Sequence, residues 1–292
     1  MSNSSRSSGR FCGRNFTGPE LEWIKSQLVL EGLTRRQLAQ RVCQQLHWVN
    51  GAGRLKEMSC RVALLRMERA GLFRLPAPRQ ANTNGRPSSD PLQIPQPERP
   101  LSLVMGPGTT VRLELVQTEA GARWYRALMR HYHYLGAKPM AGAQLRYLIW
   151  SGDWLVGGLG FGAAAWMIAA RDQWIGWSAR QRERGLEWIV NNSRFLLLPW
   201  TQSRNLGSWV LGRIARQLPR DWQNRYGYRP VLLESFVEQE RFEGTCYLAA
   251  NWRCLGQTLG RGKLEKGHSA VLPIKRIFVR PLRPDFRNVL CG

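Results

Sequence analysis

The fold of this chain is decided by three segments: GWSARQRERGLEWIVNNSRFLLLPW at 176–200, RPVLLESFV at 229–237 and GTCYLAAN at 244–251. The apolar run at 195–198 ends at Pro199 and indicates a strand buried on both faces, although a buried helix fragment has the same pattern. The run at 231–237 predicts a second strand that carries one charge, Glu234. An amphipathic helix is predicted between them over 209–218, so we expect two parallel strands joined by a right-handed crossover.

The polar segment TQSRNLGS at 201–208 lies just before that helix. A glycine-containing turn at a helix start presents free backbone N–H groups to an anion. We therefore predict a phosphate-binding site formed by Arg204, Leu206, Gly207 and Ser208. An ordinary helix cap explains the same residues equally well, and a backbone phosphate of a nucleic acid is an alternative occupant.

The chain resembles the DruA family, which is named for a component of the Druantia anti-phage systems. The matching segments are RLKEM at 54–58, HYLG at 133–136, RDQWIGW at 171–177, NNSRFLLLP at 191–199, LLESFV at 232–237 and GTCYLAANW at 244–252. Relatives of this domain also occur beside transposase domains or fused to them. The resemblance implies a bacterial protein of a phage-defence or mobile-element system, and it supplies no chemical mechanism.

The order of elements also resembles the acyltransferase core of the GNAT type. In that core, the loop after the central strand and the start of the next helix hold the pyrophosphate of coenzyme A, which implies this cofactor at the segment 201–208. The chain departs from the pattern because Gly207 is the only glycine at the helix start. A wide splay between 195–199 and 231–237, with free N–H groups at 206–208, would favour the acyltransferase. A closed sheet would count against it.

Length, charge and cysteine content restrict the class of protein. The chain has 292 residues, of which 43% are hydrophobic, enough for one large or two ordinary domains. The formal net charge of +23 attracts polyanions and favours a nucleic acid over a membrane as partner. No apolar run of about 18 residues and no secretory signal are present, so we expect no membrane span. Six cysteines without C-x-x-C spacing favour reduced thiols in the cytoplasm over disulfides or a zinc site.

Composition shifts predict four regions: a disordered tail at 1–16, a winged-helix DNA-binding domain at 17–77, a Pro-rich linker at 78–100 and a GNAT-like α/β domain at 101–292. Capping boxes at Thr17 and Thr34 indicate the starts of two helices. A third helix is expected over 54–70, with an inward face formed by Leu55, Met58, Val62, Leu65 and Met67. A wing strand at 72–75 would complete a winged helix-turn-helix.

A basic surface is predicted on the winged helix and on a basic loop of the second domain. The residues expected to contact DNA are Arg35, Arg36, Arg54, Lys56, Arg61, Arg66, Arg261 and Lys263. The expected partner is double-stranded DNA, and single-stranded DNA where exposed tryptophans lie beside arginines. Defence-system or transposase proteins are further expected partners. A protein-interaction module whose charges are solvated is the alternative.

Three residues are candidates for catalysis: His133, Asp172 and Glu234. His133 precedes a turn and can act as a general base, although a structural histidine is an equal alternative. A buried Glu234 must be hydrogen-bonded, paired or raised in pKa, so it is a base or, with Asp172, a Mg²⁺ ligand. The alternative is a structural ion pair with Arg171 or Arg194. A buried, paired Glu234 without a cleft would argue against catalysis.

The whole pattern predicts the fold class α+β/α/β, with an N-terminal winged helix-turn-helix and a C-terminal GNAT-like mixed α/β domain. In the second domain we expect a hairpin at 145–161 and an edge strand at 273–279. The first function hypothesis is a DNA-binding protein of a phage-defence or mobile-element system. The alternatives are a DNA-cleaving or strand-transferring enzyme, and a coenzyme-A-dependent acyltransferase acting on a nucleic acid or a protein. The cofactor is accordingly Mg²⁺ or coenzyme A.

Overall fold

The chain forms two compact units, Met1–Ser88 and Ser89–Gly292, and each is described by itself. The computed structural model describes residues 9–30, 32–50, 53–79, 92–106, 108–140, 142–260 and 272–292. Within these ranges, no helix is long and apolar enough to cross a membrane.

Unit 1 contains a short hairpin and three helices: β1 (Gly9–Phe11), β2 (Arg14–Phe16), α1 (Gly18–Leu28), α2 (Arg35–Gln45) and α3 (Glu57–Arg69). Both predicted capping boxes form, with the side chains of Thr17 and Thr34 each accepting a backbone N–H from the third residue of its helix. The expectation of a disordered tail is wrong for residues 9–16. Phe16 is fully buried there and packs the hairpin into the core of the helices.

The inward face of α3 differs from the prediction. Met58 and Val62 are exposed at 65% and 38%. The buried residues of α3 are Cys60, Ala63, Leu64 and Met67. The buried face of α2 also carries small side chains, Ala39 and Cys43, so the two helices pack through small residues. Leu55 and Leu65 are half-buried against this core and Met67 is buried, as predicted. The prediction is wrong at Met58 and Val62, and it misses the small buried residues.

The winged helix-turn-helix is not confirmed. Residues 72–75 form no strand, and Leu75 instead donates its N–H to Glu68 Oε1 at 2.7 Å. The connection between α2 and α3 spans 46–56, which is longer than the short turn of a helix-turn-helix. The hairpin of this unit, at 9–16, precedes the helices rather than following them.

Unit 2 is built on a seven-stranded mixed sheet, so the mixed α/β class predicted for it is confirmed. Its strands are β3 (Val111–Leu115), β4 (Leu145–Ser151), β5 (Trp154–Ala163), β6 (Ile189–Leu197), β7 (Leu232–Glu238), β8 (Arg253–Gln257) and β9 (Lys275–Pro281). Its helices are α4 (Glu119–Tyr132), α5 (Ala169–Ile175), α6 (Ala179–Gly185), α7 (Leu206–Tyr226), α8 (Thr245–Ala249) and α9 (Phe286–Cys291). The strand order is β3-β4-β5-β6-β7-β9-β8, so the predicted tail strand, β9, is internal and not an edge.

Helices cover both faces of the sheet, because alternate residues of a strand point to opposite sides. On β4, Tyr147 and Ile149 join the cluster under α7, whereas Leu148 joins the cluster under α4. Near β7 and β9 the second face is covered by α5 and α9 through Ile175 and Phe286. Burial on two sides explains why the central strands are nearly continuous apolar runs in the sequence.

β6 and β7 form the predicted parallel pair joined through α7, but they are paired only from Ile189↔Leu232 to Asn192↔Ser235. At Ser193 a bulge interrupts the pairing of β6 with β5. Beyond it, β6 continues beside β5 to Leu197 while β7 continues beside β9 to Glu238. The two strands therefore diverge, and we call the opening between 193–197 and 236–238 the fork.

The second half of the predicted linker is not a free tether. Ile94 is buried at 7% exposure in the cluster under α4, and Gln96 Nε2 donates to the Tyr132 hydroxyl at 3.1 Å. Leu101 forms a bridge with Thr201. A Pro-rich composition conceals such packing, because one apolar residue among many polar ones gives no periodic signal.

Candidate functional site

The fork is spanned by side chains where the backbone pairing of β6 and β7 ends. The Tyr247 hydroxyl, from α8, donates to Asn192 Oδ1 at 2.8 Å. The Ser235 hydroxyl of β7 lies 3.0 Å from Asn192 O and 3.1 Å from the Tyr247 hydroxyl. Phe195 meets the Tyr247 ring edge-on, and Phe278 stacks on it. Burial raises the pKa of Tyr247, so the phenol stays neutral and can donate a proton.

The mouth of the fork is the start of α7. Its N-cap, Asn205, has φ 62° and makes no side-chain hydrogen bond to the helix. Within the described ranges, the N–H groups of Leu206, Gly207 and Ser208 have no hydrogen-bond acceptor, and Arg204 is exposed. A Cβ at Gly207 would lie 3.0 Å from Cys246 Cβ, so a larger residue does not fit there without movement. Arg204, Leu206, Gly207 and Ser208 therefore lie together at the mouth of the fork, where β6 and β7 diverge.

The residues at this mouth fit the anionic end of coenzyme A. Uncapped N–H groups and the positive end of a long helix attract a pyrophosphate, and Arg204 adds a mobile cation beside them. The fork interior is narrower, because Tyr247 fills it at 5% exposure. A cofactor arm would therefore lie along the open backbone edge of residues 193–197, with the phenol at its inner end.

Asp172 and Glu234 belong to a buried ion-pair cluster. Glu234 is fully buried, with Oε1 accepting Ala165 N–H at 2.7 Å and Oε2 paired with Arg171 at 2.6 Å. Arg171, also fully buried, pairs with Asp172 Oδ1 at 2.8 Å, and Arg182 pairs with the other oxygen at 3.2 Å. Burial raises the pKa of Glu234 and the Arg171 guanidinium opposes that rise. Both oxygens of Glu234 are satisfied, so the cluster has the features of a structural ion pair.

His133 does not join these carboxylates. It caps α4 at 8% exposure, and its Nδ1 accepts the Leu135 N–H at 3.1 Å. Burial, followed by the nearby charge of Arg194, lowers the pKa of His133 to about 4. The neutral ring therefore carries its proton on Nε2, and its lone pair is already engaged, which leaves no basic nitrogen for the predicted role. Among the described residues there is also no group of three His, Cys, Asp or Glu that could hold a metal ion.

The predicted DNA-binding residues of unit 1 have mixed surroundings. Arg35 donates to Pro76 O at 2.6 Å, and Arg36 pairs with Glu57 at 3.2 Å. Of the other residues of unit 1 that were predicted to contact DNA, Lys56 is half-buried, and three are exposed: Arg54, Arg61 and Arg66. Arg261 and Lys263 lie outside the described residues.

Two arginine-lined cavities of unit 2 were missed by the sequence reasoning. The first, about 320 Å³, lies on the outer side of α7 and is lined by Arg213, Arg216, Gln217 and Arg220. The three arginines are three or four residues apart, which places them on one side of a helix, so this pattern was available in the sequence. The second, about 200 Å³, lies beside α4, and its walls include Tyr125, Lys138, Arg146 and Arg194. These residues come from separate segments, so no sequence pattern connects them.

Comparison with known proteins places the chain in a family. The family model described as Druantia protein DruA matches residues 66–292. No curated protein matches the chain.

Solved acetyltransferases are similar to this chain in part. A GNAT-family acetyltransferase from Streptococcus pneumoniae has 11% identity, covering 59% of this chain and 98% of that one, with a TM-score of 0.37. A Bacillus subtilis acetyltransferase in complex with CoA has 10% identity, 59% and 99% coverage and a TM-score of 0.36. RimL, a ribosomal L7/L12 alpha-N-protein acetyltransferase, has 12% identity, 60% and 95% coverage and a TM-score of 0.36. At these values we base no argument on the likeness.

Proposed function

This chain belongs to the DruA family, and we propose that its second unit is an acyltransferase that uses coenzyme A. The observation that carries the proposal is the fork between β6 and β7, which opens at the uncapped start of α7. A strand edge without a partner and a helix start without a cap are both unsatisfied hydrogen-bonding surfaces. A ligand with an anionic end and an extended amide-bearing arm would satisfy both.

Each end of the proposed site has its own task. The N–H groups of Leu206, Gly207 and Ser208, with the Arg204 side chain, hold the pyrophosphate. Bound coenzyme A supplies an acyl group activated as a thioester. At the inner end, Tyr247 keeps its proton on the hydroxyl because it is buried, and Asn192 fixes the direction of that hydroxyl. When an acceptor takes the acyl group, the thiolate of coenzyme A would leave and take its proton from Tyr247, whose hydrogen turns from Asn192 Oδ1 to the sulfur.

Calorimetric titration of coenzyme A tests the binding step. Arg204→Gln and Gly207→Val should each weaken binding about tenfold or more, because each removes a charge-assisted contact or fills the cradle. Arg213→Gln removes the same charge from the outer side of α7 and should leave the affinity unchanged. If the wild-type protein binds no coenzyme A at about 1 mM, the proposal fails.

Transfer of label from radioactive acetyl-coenzyme A tests the chemistry, with protein and nucleic-acid fractions counted separately. Tyr247→Phe should retain coenzyme A binding and lower the transfer rate about 100-fold, the usual size of a lost proton donor. Tyr132→Phe is the matched control, since its hydroxyl accepts from Gln96 Nε2 beside α4 and is assigned no part in the fork. Equal rates for Tyr247→Phe and the wild type would remove the phenol from the mechanism.

A second candidate function is docking of a nucleic acid, and it is favoured by the arginine row on α7. Arg213, Arg216 and Arg220 are exposed on one side of this helix and line a cavity of about 320 Å³. The charge of Arg216 also acts on a neighbouring arginine: burial, followed by this charge, lowers the pKa of Arg280. A phosphate backbone supplies negative charge at regular spacing, which matches such a row.

Binding of duplex and single-stranded DNA over a salt series tests this candidate. Replacing Arg213, Arg216 and Arg220 together by Gln should reduce the slope of log affinity against log salt by up to about 3, because each lost phosphate contact contributes about 0.9. The matched control replaces Arg112, Arg180 and Arg229, which are also exposed but scattered. An equal reduction in both triple variants would assign DNA binding to net charge and not to α7.

A further inference from the structure

The cavity beside α4 is a separate pocket in unit 2, made by side chains that the fork does not use. Its volume is about 200 Å³, and its walls come from α4, the loop at 136–140, the start of β4 and the bulge region of β6. Arg194 donates to Lys138 O at 3.3 Å and to Ser193 O at 2.8 Å, which fixes the loop against β6. One hydrogen bond therefore links the rim loop of the pocket to β6.

Among the described residues, three of the four cations that line this pocket have no carboxylate partner, and the fourth, Arg126, is paired with Glu119. Arg146 and Arg194 are half-buried in its wall, and Lys138 lies at the exposed rim. Arg146 bonds to Gln144 Oε1 at 3.0 Å, and its guanidinium lies 5.7 Å from the centre of the Tyr125 ring. Within the described ranges, Arg146, Arg194 and Lys138 are not paired with a carboxylate. The two guanidinium groups also retain N–H donors beyond the hydrogen bonds given above.

A buried hydroxyl without a partner lies in the wall of the same cavity. Tyr125 is 5% exposed, and its hydroxyl has no hydrogen-bond partner among the described residues. A Cβ at Gly160 would collide with that hydroxyl and would lie 2.8 Å from Met140 Sδ, so the glycine leaves room for the phenol. Burial raises the pKa of Tyr125, and the phenol is therefore a neutral donor at neutral pH. A buried donor without an acceptor is costly unless a ligand supplies one.

We propose that this pocket binds the phosphate monoester of a nucleotide, through Arg146, Arg194 and the hydroxyl of Tyr125. Arginine presents N–H donors in a planar fork that matches phosphate oxygens, and the phenol supplies a further donor from the pocket floor. A phosphate dianion would also neutralise the cations that no carboxylate of the pocket neutralises. The phosphate comes either from a free nucleotide or from the 5′ end of a DNA strand, and both sources present the same group.

The test is calorimetric titration in the absence of coenzyme A, with inorganic phosphate, deoxyadenosine 5′-monophosphate and unphosphorylated deoxyadenosine as probes. We expect binding of the two phosphate compounds and none of the nucleoside. Arg146→Gln should weaken binding about tenfold or more, and Tyr125→Phe about threefold or more. Arg180→Gln is the charge-matched control, because Arg180 is exposed and lines neither arginine-lined cavity, so it should not change the affinity.

The source of the phosphate is decided by a pair of oligonucleotides that differ only in a 5′-phosphate or a 5′-hydroxyl. If the phosphate tightens oligonucleotide binding and Arg146→Gln removes that advantage, the ligand is a DNA end. If only the mononucleotide shows the Arg146 dependence, the ligand is a free nucleotide. The proposal is overturned if the wild type binds no phosphate compound at about 10 mM, or if Arg146→Gln and Tyr125→Phe both leave the affinity unchanged.

Discussion

Unit 2 contains two polar clusters that differ in how completely they are satisfied. In the first, Arg171 and Glu234 are fully buried and every oxygen of the carboxylate has a donor. In the second, Arg146 and Arg194 face a cavity beside Tyr125, whose buried hydroxyl has no partner among the described residues. A satisfied cluster holds the fold together, whereas an unsatisfied one is suited to a ligand.

The comparison also explains why a charge inside a strand is weak evidence for catalysis. Glu234 is the more conspicuous residue in the sequence, and the structure uses it internally. Arg146 and Arg194 are unremarkable in the sequence, yet among the described residues they lack carboxylate partners like those that Glu234 and Asp172 give to Arg171. Surplus donors, rather than buried charge, mark the place where an external anion gains most.

The largest expected effect is loss of the buried ion pair. Arg171→Met leaves Glu234 buried and unpaired, so we expect unfolding free energy to fall by about 3–5 kcal/mol in urea titrations. Arg194→Gln, in the unsatisfied cluster, should cost less than about 1 kcal/mol. The double variant Arg171→Met/Glu234→Leu should be more stable than Arg171→Met alone. If it is not, the cost of Arg171→Met does not come from an unpaired Glu234, and the contrast between the two clusters is lost.

The next effect separates two buried phenols. The Tyr147 hydroxyl donates to Asp221 Oδ2 at 3.1 Å, whereas the Tyr125 hydroxyl has no acceptor within the described ranges. Tyr147→Phe should therefore lower the unfolding free energy by about 1–3 kcal/mol, whereas Tyr125→Phe removes an unsatisfied hydroxyl and should raise it by up to about 1 kcal/mol. Both values come from the same urea titration. A similar cost for both variants would mean that Tyr125 is already satisfied.

A smaller effect is a pH dependence from His133, whose pKa is lowered to about 4 by burial and by Arg194. The unfolded chain binds the proton more readily, so this stability term is complete above about pH 6.5 and is lost as pH falls towards 4. After allowance for solvent screening we expect about 1–2 kcal/mol over that interval. His133→Asn keeps an acceptor for Leu135 N–H and cannot titrate, so its unfolding free energy should lack this component.

The smallest effect compares two glycines of α7. A Cβ at Gly212 meets nothing within 4 Å, whereas one at Gly207 would lie 3.0 Å from Cys246 Cβ. Gly212→Ala should raise the unfolding free energy by about 0.5–1 kcal/mol, the usual gain for a helix interior. Thermal unfolding measures both variants, and Gly207→Ala should lack that gain. An equal gain would mean that the mouth of the fork is roomier than the backbone indicates.

Local patterns predicted the elements of the chain well where one signal dominated. The capping boxes at Thr17 and Thr34, the hairpin around 151–153 and the crossover through α7 all follow from short-range rules. The apolar run at 195–198 predicted only the last part of its strand, because β6 already begins at Ile189. Burial against the partner strand overrides local periodicity at such positions.

The candidate site was predictable only in part. The proposed phosphate cradle at 204–208 could be predicted because its residues are adjacent in the sequence and begin a helix. The pocket beside α4 was not found, since Tyr125, Arg146 and Arg194 are distant along the chain. The pairing of Arg171 with Glu234 was available as an alternative, and only the fold distinguishes it from a catalytic cluster.

The sequence by itself determined the family, the strong positive charge, the helix starts and the β6–α7–β7 crossover, because these depend on composition and on contacts between near neighbours. The tertiary structure alone decided which charges are paired, where β6 and β7 diverge, and which hydroxyl is left without an acceptor. Those properties depend on distances between segments far apart in the chain. Burial then sets their energetic weight, since a polar group costs little in water and much in a core unless it finds a partner.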